Sequence, residues 1–391
     1  MDRDIAVKMA QEAIKAHNKK LVDAVLKIKA QREQQPAAVK SIKDLPLIGV
    51  TCSTGWECYA IVEELAKTGN FRVRAMFRTP GTQAAQRLAD LLEETEKTHP
   101  GLLSLQSGID MYSEEALTRA FVDCDAVVLY VTANTARAGK IDNHGNDPVG
   151  GRAAVMRQVM AMIGAIRANP SVQHAVTLVF PSDKVHGIAD DAPEAPWWVQ
   201  QRLRVSDFLR DAGINVTCIH RPSYYFNMHR VDYTAKADFR GDTAMSRTMI
   251  KENAVPGIME PDFMVNWVDV RDVGKWVGTV FEYSEVFSNV DFSIASCALT
   301  GNQRVDIVKQ VNKHGTAFKY AQFPKLIMKT LALFNQEVIY PLRYTQWYND
   351  KANGYDFACN ADLADLERIH PLWTFEKKLK SWGIDEIKPA K

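Results

Sequence analysis

The sequence has 391 residues, of which 46% are hydrophobic and 24% are charged, and its formal net charge is +1. This composition is typical of a soluble globular protein with an ample core. A charge this close to neutral argues against binding to nucleic acid. Its six cysteines form no CxxC pair, and no apolar run approaches the ~20 residues that a membrane span requires. We therefore expect a cytoplasmic protein without an integral membrane span.

The N-terminal extension, residues 1–45, begins with a predicted amphipathic helix over residues 1–35. Its apolar side carries Ile14, Leu21, Val25 and Ile28, and the first 40 residues hold nine Lys or Arg against five Asp or Glu. No continuous apolar segment indicates a signal peptide. A basic amphipathic helix can lie on a membrane, but packing against its own domain or a second subunit is more common, so a homodimer is possible.

The segment from Leu47 to Arg78 is the most informative part of the chain. LIGV is a short apolar run that predicts a buried parallel strand, and the apolar residues from Ile61 to Leu65 predict a helix after it. The helix would begin near Gly55, where free backbone N–H groups and the positive end of the helix dipole face outward. A dinucleotide pyrophosphate binds at this point of a Rossmann βαβ unit.

The turn before this helix departs from the usual glycine spacing. It reads Cys52-x-x-Gly55-x-x-Cys58 where Gly-x-x-Gly-x-x-Gly would be expected. Glycine serves such turns by allowing positive φ, close approach to phosphate and tight packing of helix on strand. Cysteine is small enough for tight packing of helix on strand, but it adopts a positive φ only with strain. Two interpretations stay open: the turn still holds a dinucleotide, or only the fold remains.

Arg78 ends the second predicted strand, where an NAD-selective site would carry an acidic residue for the ribose 2′-hydroxyl. An arginine there favours a 2′-phosphate and therefore NADP(H) as the cofactor. Arg72 and Arg74 alternate with it along the same face of the strand. Solvated charges at a strand end are the alternative explanation.

Strands and helices alternate from Leu47 to Arg221, which predicts an α/β fold with a doubly wound, Rossmann-like parallel sheet. The expected domains are the N-terminal helical extension at 1–45, the dinucleotide-binding core at 46–220 and a small C-terminal substrate lobe at 221–391, interleaved with the core. The strands are predicted near 47–51, 71–77, 102–106, 125–132, 174–180 and 215–219, and the helices near 57–68, 82–97, 113–121, 149–167 and 197–212.

Five motifs in order resemble the NmrA-like branch of the atypical short-chain dehydrogenases/reductases. They are GVTCSTGWECYAIVEEL, RVRAMFRTP, CDAVVLYVT, VSDFLRDAGINVTCIHRPSYYFNM and VNWVDVRDVGKWV, and the likeness extends from about Leu47 to Trp382. The resemblance implies a Rossmann core with a small substrate lobe. It also implies either NADPH-dependent reduction or redox sensing by a cofactor-binding protein without catalysis.

The resemblance also implies roles for individual residues. The phosphate turn would comprise Thr51, Gly55, Trp56 and Glu57, the 2′-phosphate contact would be Arg78, and the border of the nicotinamide ribose would be Val131 and Thr132.

The catalytic helix departs from the family pattern. A short-chain reductase uses Tyr-x-x-x-Lys, in which the lysine lowers the pKa of the tyrosine, and no tyrosine here has a lysine four residues later. The corresponding place reads Trp198-Val-Gln-Gln-Arg202. Arg202 could contact the cofactor ribose or lie on the surface, but it cannot donate a proton at neutral pH.

Other groups must therefore supply any proton. Ser182, Lys184 and His186 follow a predicted strand, at the sheet edge where ligands bind, although they could be ordinary loop residues. Tyr224 follows the next strand, where a phenol could orient or protonate a carbonyl, or simply pack. Asp269 and Asp272 are predicted to cap and stabilise a helix N-terminus.

Three functions remain open at this point. The first is an NADPH-dependent reductase, an oxidoreductase acting on a bulky apolar carbonyl or enone as its small-molecule substrate. The second is a non-redox isomerase, lyase or cyclase, favoured by the lost glycines and the missing Tyr-x-x-x-Lys pair. The third is a non-catalytic NADP(H) sensor or scaffold. No metal site is expected, since the sequence has no HExxH motif and no zinc-ribbon spacing.

Overall fold

The computed structural model describes residues 3–34, 41–131, 148–179, 197–224, 253–257, 259–313, 318–322 and 362–381. The helices in chain order are α1 (Arg3–Glu33), α2 (Trp56–Thr68), α3 (Gln83–Thr98), α4 (Glu114–Ala120), α5 (Pro148–Arg167), α6 (Trp197–Asp211), α7 (Val270–Glu282), α8 (Gly301–Val311), α9 (Leu363–Glu367) and α10 (Phe375–Ser381). Within these ranges no helix has the length and apolar character needed to cross a bilayer.

The strands in chain order are β1 (Leu47–Val50), β2 (Arg72–Met76), β3 (Leu103–Gln106), β4 (Ala126–Leu129), β5 (His174–Val179), β6 (Val216–His220), β7 (Ser223–Tyr224), β8 (Ala254–Gly257), β9 (Val265–Val268), β10 (Asp291–Ser293), β11 (Cys297–Leu299) and β12 (Lys319–Gln322).

The central sheet has seven strands in the order β10-β6-β5-β4-β1-β2-β3, and every neighbouring pair is parallel. Strand order reverses between β1 and β4, so the carboxyl ends of these two strands flank the topological switch point, where ligands bind in this class of fold. The predicted doubly wound parallel sheet is confirmed, and all six predicted strands of the core are present.

Alternation along the strands divides the core into two apolar layers. On β1, Ile48 and Val50 pack in the layer that contains α1, α2, α3 and α7, whereas Leu47 packs in the layer of α4, α5 and α6. Because successive side chains of a strand point to opposite faces, both faces of the buried sheet need apolar residues and both carry helices. α2 lies across β1, which fixes its N-terminus at the switch point.

The chain after Arg221 partly returns to the core. β10 pairs with β6 as the edge strand of the central sheet, and Trp276 of α7 is fully buried in the layer of α2. The small lobe has its own apolar cluster around Trp267, Val308 and Phe375.

α1 packs against the protein's own core. Leu21, Val22 and Val25 are buried in the layer of α2, while Ile28 and Ile14 are only partly buried. The predicted long helix is thus present, and the second half of its apolar stripe is covered by its own domain.

Asp269 and Asp272 are structural, as the sequence predicted. Asp269 is the N-cap of α7 and accepts a hydrogen bond from the backbone N–H of Arg271 at 3.0 Å, and its second oxygen lies 3.0 Å from Lys378 Nζ in α10. Asp272 accepts hydrogen bonds from the hydroxyl of Ser296 and the backbone N–H of Trp373. Together they attach the C-terminal helix to α7.

Candidate functional site

The turn between β1 and α2, residues 51–55, is held rigidly at the switch point. Thr51 is fully buried; its hydroxyl donates to Val128 O at 3.0 Å and accepts from the N–H of Tyr130 at 2.9 Å. Ser53 is also fully buried and binds β2, donating its N–H to Met76 O at 2.9 Å. The side chain of Thr51 therefore joins β1 to β4 and faces away from solvent.

Cys52 adopts the backbone conformation that the glycine pattern requires. Its φ is 55°, in the left-handed region that glycine enters without steric cost. The thiol lies 3.7 Å from Tyr130 O, beyond the end of β4. Burial raises the pKa of Cys52 to about 12, against a smaller opposing effect of the Arg78 charge, so the sulfur is a neutral thiol near pH 7.

Gly55 is the N-cap of α2, with φ −73°, so it needs no positive φ. A Cβ added there would lie 3.3 Å from Cys52 O, a tight contact inside the turn. No side chain caps this helix, whereas Thr82, Ser113 and Thr300 cap α3, α4 and α8. Gly55 thus brings no side chain to the start of α2, where the positive end of the helix dipole favours an anion.

Glu57 and Arg221 form a buried ion pair beneath the start of α2. Arg221 Nε lies 2.5 Å from Glu57 Oε1, and Nη2 donates to Oε2 at 2.9 Å. Glu57 is 4% exposed and Arg221 is 5% exposed. The carboxylate is thus turned into the protein and neutralised, and the pair connects α2 to the carboxyl end of β6.

Cys58, the third position of the pattern, lies inside the core with 1% exposure. It packs with the apolar layer between α2 and the sheet. Burial raises its pKa well above the usual value. A cysteine thus replaces glycine here as a small packing residue.

The arginines of the second strand divide into two roles. Arg78 is exposed just beyond β2, near the turn. Arg74 instead donates to Ala120 O at 2.9 Å and Val122 O at 2.6 Å, and Arg72 donates to Leu45 O at 2.9 Å. Arg72 and Arg74 therefore bind carbonyl groups of the protein, whereas the side chain of Arg78 is exposed to solvent.

Trp56, the first residue of α2, is half-buried, and the Arg87 guanidinium lies 4.3 Å from the centre of its ring. Val131, beyond the end of β4, is 9% exposed and packs in the layer of α5.

Arg202 lies on α6, and the backbone of Tyr224 pairs with Val268 in β9. Thr132, Ser182, Lys184 and His186 lie outside the described residues.

Two features were not foreseen from the sequence. One is the Glu57–Arg221 pair, for which the available signal was that both residues follow strands of the same sheet and carry opposite charges. The other is a cluster of Cys218, His220 and Asp291 at the β6–β10 edge. Cys218 and His220 alternate on one strand, but Asp291 lies far along the chain, so no sequence spacing marks the group.

The fold and the turn define a Rossmann-type protein of the dinucleotide-binding class. The sequence profile of the NmrA-like family matches residues 46–377, and this chain belongs to that family. The N-terminal helix α1 lies outside the matched region. No curated protein matches the sequence closely enough to be compared with it.

Solved structures of the same fold include reductases and a regulator. Triphenylmethane reductase from Citrobacter sp., complexed with NADP(H), aligns with a TM-score of 0.59 at 14% identity, over 86% of this chain and 99% of the reductase. NmrA, a negative transcriptional regulator in complex with NADP, aligns with a TM-score of 0.57 at 13% identity, over 88% of this chain and 96% of NmrA. Pinoresinol-lariciresinol and phenylcoumaran benzylic ether reductases align with a TM-score of 0.58 at 14% identity, over 86% and 98% of the two chains.

Proposed function

We propose that this protein binds NADP(H) at the turn between β1 and α2 and is an NADPH-dependent reductase. The conformation of Cys52 carries the proposal. A residue other than glycine in the left-handed region costs roughly 1–3 kcal/mol, and such strain is concentrated at functional sites. Cys52 holds φ 55° despite its side chain, and this is the positive φ for which a dinucleotide turn usually carries glycine.

The described residues fit the cofactor. The pyrophosphate would lie against the N-terminus of α2, where the N-cap Gly55 brings no side chain and the helix dipole is positive. Arg78 would form charge-assisted hydrogen bonds to the 2′-phosphate. Because Arg221 neutralises Glu57 below the surface, the carboxylate in the first turn of α2 does not repel the phosphates.

The proposed substrate is a bulky apolar carbonyl or enone, and the nicotinamide would supply the hydride. Val131, Thr132 and Arg202 are proposed to border the nicotinamide ribose. Tyr224 is proposed to orient the substrate and to donate the proton, with Ser182, Lys184 and His186 as the alternative donors. That reductases share this fold supports the proposal of a reductase. We place the activity in the cytoplasm, where the described cysteines would remain free thiols.

A second candidate is a non-catalytic NADP(H)-binding regulator. Two observations favour it: a structure of the same fold is a negative transcriptional regulator, and the sequence has no Tyr-x-x-x-Lys pair. In this case the protein would bind the cofactor without consuming it, and the redox state of the bound cofactor would change the affinity of the protein for a partner.

Calorimetric titration with NADPH and NADH tests cofactor binding. Wild-type protein should prefer NADPH, and Arg78→Ala should reduce that preference by roughly 10- to 100-fold, the range expected for contacts of about 1.5–3 kcal/mol to a charged group. Arg119→Ala is the matched control, because Arg119 is an exposed arginine on α4 whose ion pair with Glu115 is also exposed. If wild-type protein binds neither nucleotide at millimolar concentration, the proposal is wrong.

Consumption of NADPH with a panel of aromatic ketones and enones separates the candidates. A reductase should oxidise NADPH in proportion to product, and Tyr224→Phe should lower turnover by about 10²-fold with little change in cofactor affinity. Product formed without NADPH oxidation would identify an isomerase, lyase or cyclase. Tight NADPH binding without turnover on any member of the panel would favour the regulator.

A further inference from the structure

The geometry points to a metal site at the edge of the central sheet, away from the cofactor turn. We propose that Cys218, His220 and Asp291 bind one Zn²⁺ ion, with water as the fourth ligand. This inference does not depend on the proposed function.

The three side chains converge from two neighbouring strands. Cys218 and His220 are two residues apart on β6 and therefore share one face of the sheet. Asp291 begins β10 and lies beside Cys218 in the parallel register. One potential ligand atom from each residue lies within 4.8 Å of the other two. Small side-chain adjustments would bring all three atoms within the bond lengths of one Zn²⁺ ion.

The separation between His220 and Asp291 fits shared coordination better than a hydrogen bond. His220 Nε2 lies 3.3 Å from Asp291 Oδ2. A charge-assisted N–H···O bond is usually about 2.7–2.9 Å long. Two atoms that are each about 2.0–2.1 Å from a tetrahedral ion lie about 3.3–3.4 Å apart.

His220 is a buried imidazole that faces the Asp291 carboxylate at a distance longer than a usual charge-assisted hydrogen bond. The side chain is 1% exposed, and neither ring nitrogen has the distance and angle of a hydrogen bond to any of the described residues. Buried polar atoms are nearly always hydrogen-bonded or bound to a metal, and the long contact with Asp291 leaves this ring short of that. A cation bound between the three side chains would engage one of its nitrogens.

The ligand chemistry selects the ion. A thiolate, an imidazole and a carboxylate suit Zn²⁺, whereas Mg²⁺ and Ca²⁺ take oxygen ligands. Two anionic ligands would balance the two charges of Zn²⁺. Cys218 is 1% exposed, but the side chain of Asp291 is 32% exposed, so the fourth position can be reached by water from that side.

Arg210 holds the carboxylate in place without occupying the proposed site. Its Nη2 lies 2.6 Å from Asp291 Oδ1 and also donates to the carbonyl oxygens of Val216 and Val290. The other oxygen, Oδ2, is the one that faces His220. Such outer contacts commonly orient the ligands of a metal site.

The test uses the full-length, tag-free protein, stripped of metal and titrated with Zn²⁺ and with Co²⁺. We expect one Zn²⁺ per chain, and with Co²⁺ both visible absorption bands of a tetrahedral ion and a near-ultraviolet thiolate charge-transfer band. Cys218→Ser should abolish the charge-transfer band. His220→Gln and Asp291→Asn should each weaken Zn²⁺ binding by about a hundredfold or more.

Matched controls separate this cluster from the other cysteines and histidines. Cys124→Ser and His174→Gln replace a buried cysteine and a buried histidine outside the cluster and should leave the stoichiometry at one. Circular dichroism of each variant verifies that it is folded, and Cys218→Ala serves if the serine variant does not fold. Absence of stoichiometric Zn²⁺ binding would overturn the proposal and leave a histidine–carboxylate ion pair. A charge-transfer band that survives Cys218→Ser but disappears in Cys52→Ser would also overturn it.

Discussion

At the scale of single residues, Cys52 combines a strained backbone with a position at the switch point of the sheet. Four described residues other than glycine have positive φ, and the other three are Asp123, Asn253 and Asn289. Asn and Asp tolerate this conformation better than most residues because their short side chains can form local hydrogen bonds. A cysteine has no such advantage, so the turn imposes its conformation.

Cys52→Gly should stabilise the protein by about 1 kcal/mol, because glycine enters the left-handed region without a steric cost. It should also tighten the NADPH dissociation constant, because removing the side chain relieves crowding near the pyrophosphate. Urea unfolding and calorimetry measure the two effects. Asp123→Gly is the control: φ is 61° there, the residue is remote from the turn, and only stability should change. A Cys52→Gly protein that is less stable and binds NADPH more weakly would show that the thiol contact with Tyr130 holds the turn.

The equivalent change at Cys58 should have the opposite effect on stability. Cys58 is 1% exposed inside the core and lies in the first turn of α2, so glycine would leave a cavity and weaken the helix. Cys52 and Cys58 both replace a glycine of the sequence pattern, but in the structure Cys52 has a strained backbone and Cys58 packs in the core. Only the first occupies a position that needs the conformational freedom of glycine.

The Glu57–Arg221 pair is the second test at this scale. Removing one member leaves a buried charge without its partner, which typically costs about 3–5 kcal/mol. Glu57→Gln and Arg221→Gln should each lower the free energy of unfolding by this order. The double variant should lose much less than the sum, since no unpaired charge remains. Additivity within about 0.5 kcal/mol in urea unfolding would show that the two residues are not coupled.

At the scale of elements, α1 protects the exposed edge of the central sheet. Asn18 donates its amide to Ser293 O at 3.1 Å and accepts from the N–H of Ser293 at 3.4 Å, so one side chain occupies both backbone groups of an edge-strand residue. Ion pairs from Lys19 to Asp365 and from Arg32 to Glu285 add contacts at the surface. Uncovered edge strands promote association between chains, and a covering helix prevents it.

A chain that begins at Lys40 should therefore lose several kcal/mol of stability. Leu21, Val22 and Val25 are buried, and each apolar side chain of this size contributes about 1.5–3 kcal/mol on burial. Thermal unfolding and size-exclusion chromatography should show a lower midpoint and self-association. Met9→Ser is the control, since Met9 is 56% exposed on the same helix and should change neither. An equally stable, equally sized chain that no longer sediments with anionic liposomes would instead identify α1 as a membrane anchor.

At the scale of the whole molecule, a buried neutral histidine makes stability depend on pH. His174 is 4% exposed at the start of β5, and burial lowers its pKa to about 4. Its Nε2 lies 2.7 Å from the hydroxyl of Thr217, which donates to Phe287 O, so the imidazole is the donor to Thr217. Protonation would add a charge and a second N–H inside the core.

Because the folded pKa is below the unfolded value of about 6.5, the stabilising contribution is complete above pH 6.5 and is lost as the pH falls towards 4. The loss between pH 7 and pH 5 should be about 2 kcal/mol for this group. Asp272 gives the opposite pH dependence of stability. Burial raises its pKa to about 6, so its contribution to stability decreases as the pH rises towards 6. The difference between wild type and His174→Gln in urea unfolding isolates the histidine, and His99→Gln, an exposed histidine at the end of α3, is the control. An identical pH slope in wild type and His174→Gln would contradict the assignment.

The sequence by itself determined the fold, because the apolar alternation of β1 and the helical spacing of α2 are local patterns that admit few alternatives. It also identified the positions of the turn, Cys52, Gly55 and Cys58, and the helix N-cap Asp269, because these features depend on the local backbone. The tertiary structure alone decided that Cys52 bears the strain while Cys58 packs, that Arg78 is exposed while Arg74 binds carbonyl groups, and that Glu57 pairs with Arg221. It also brought Asp291 to Cys218 and His220. Each of these features depends on residues from different strands or helices. The distances between those residues and their burial are set by the packing of the sheet and helices, and the spacing of residues along the chain does not reveal them.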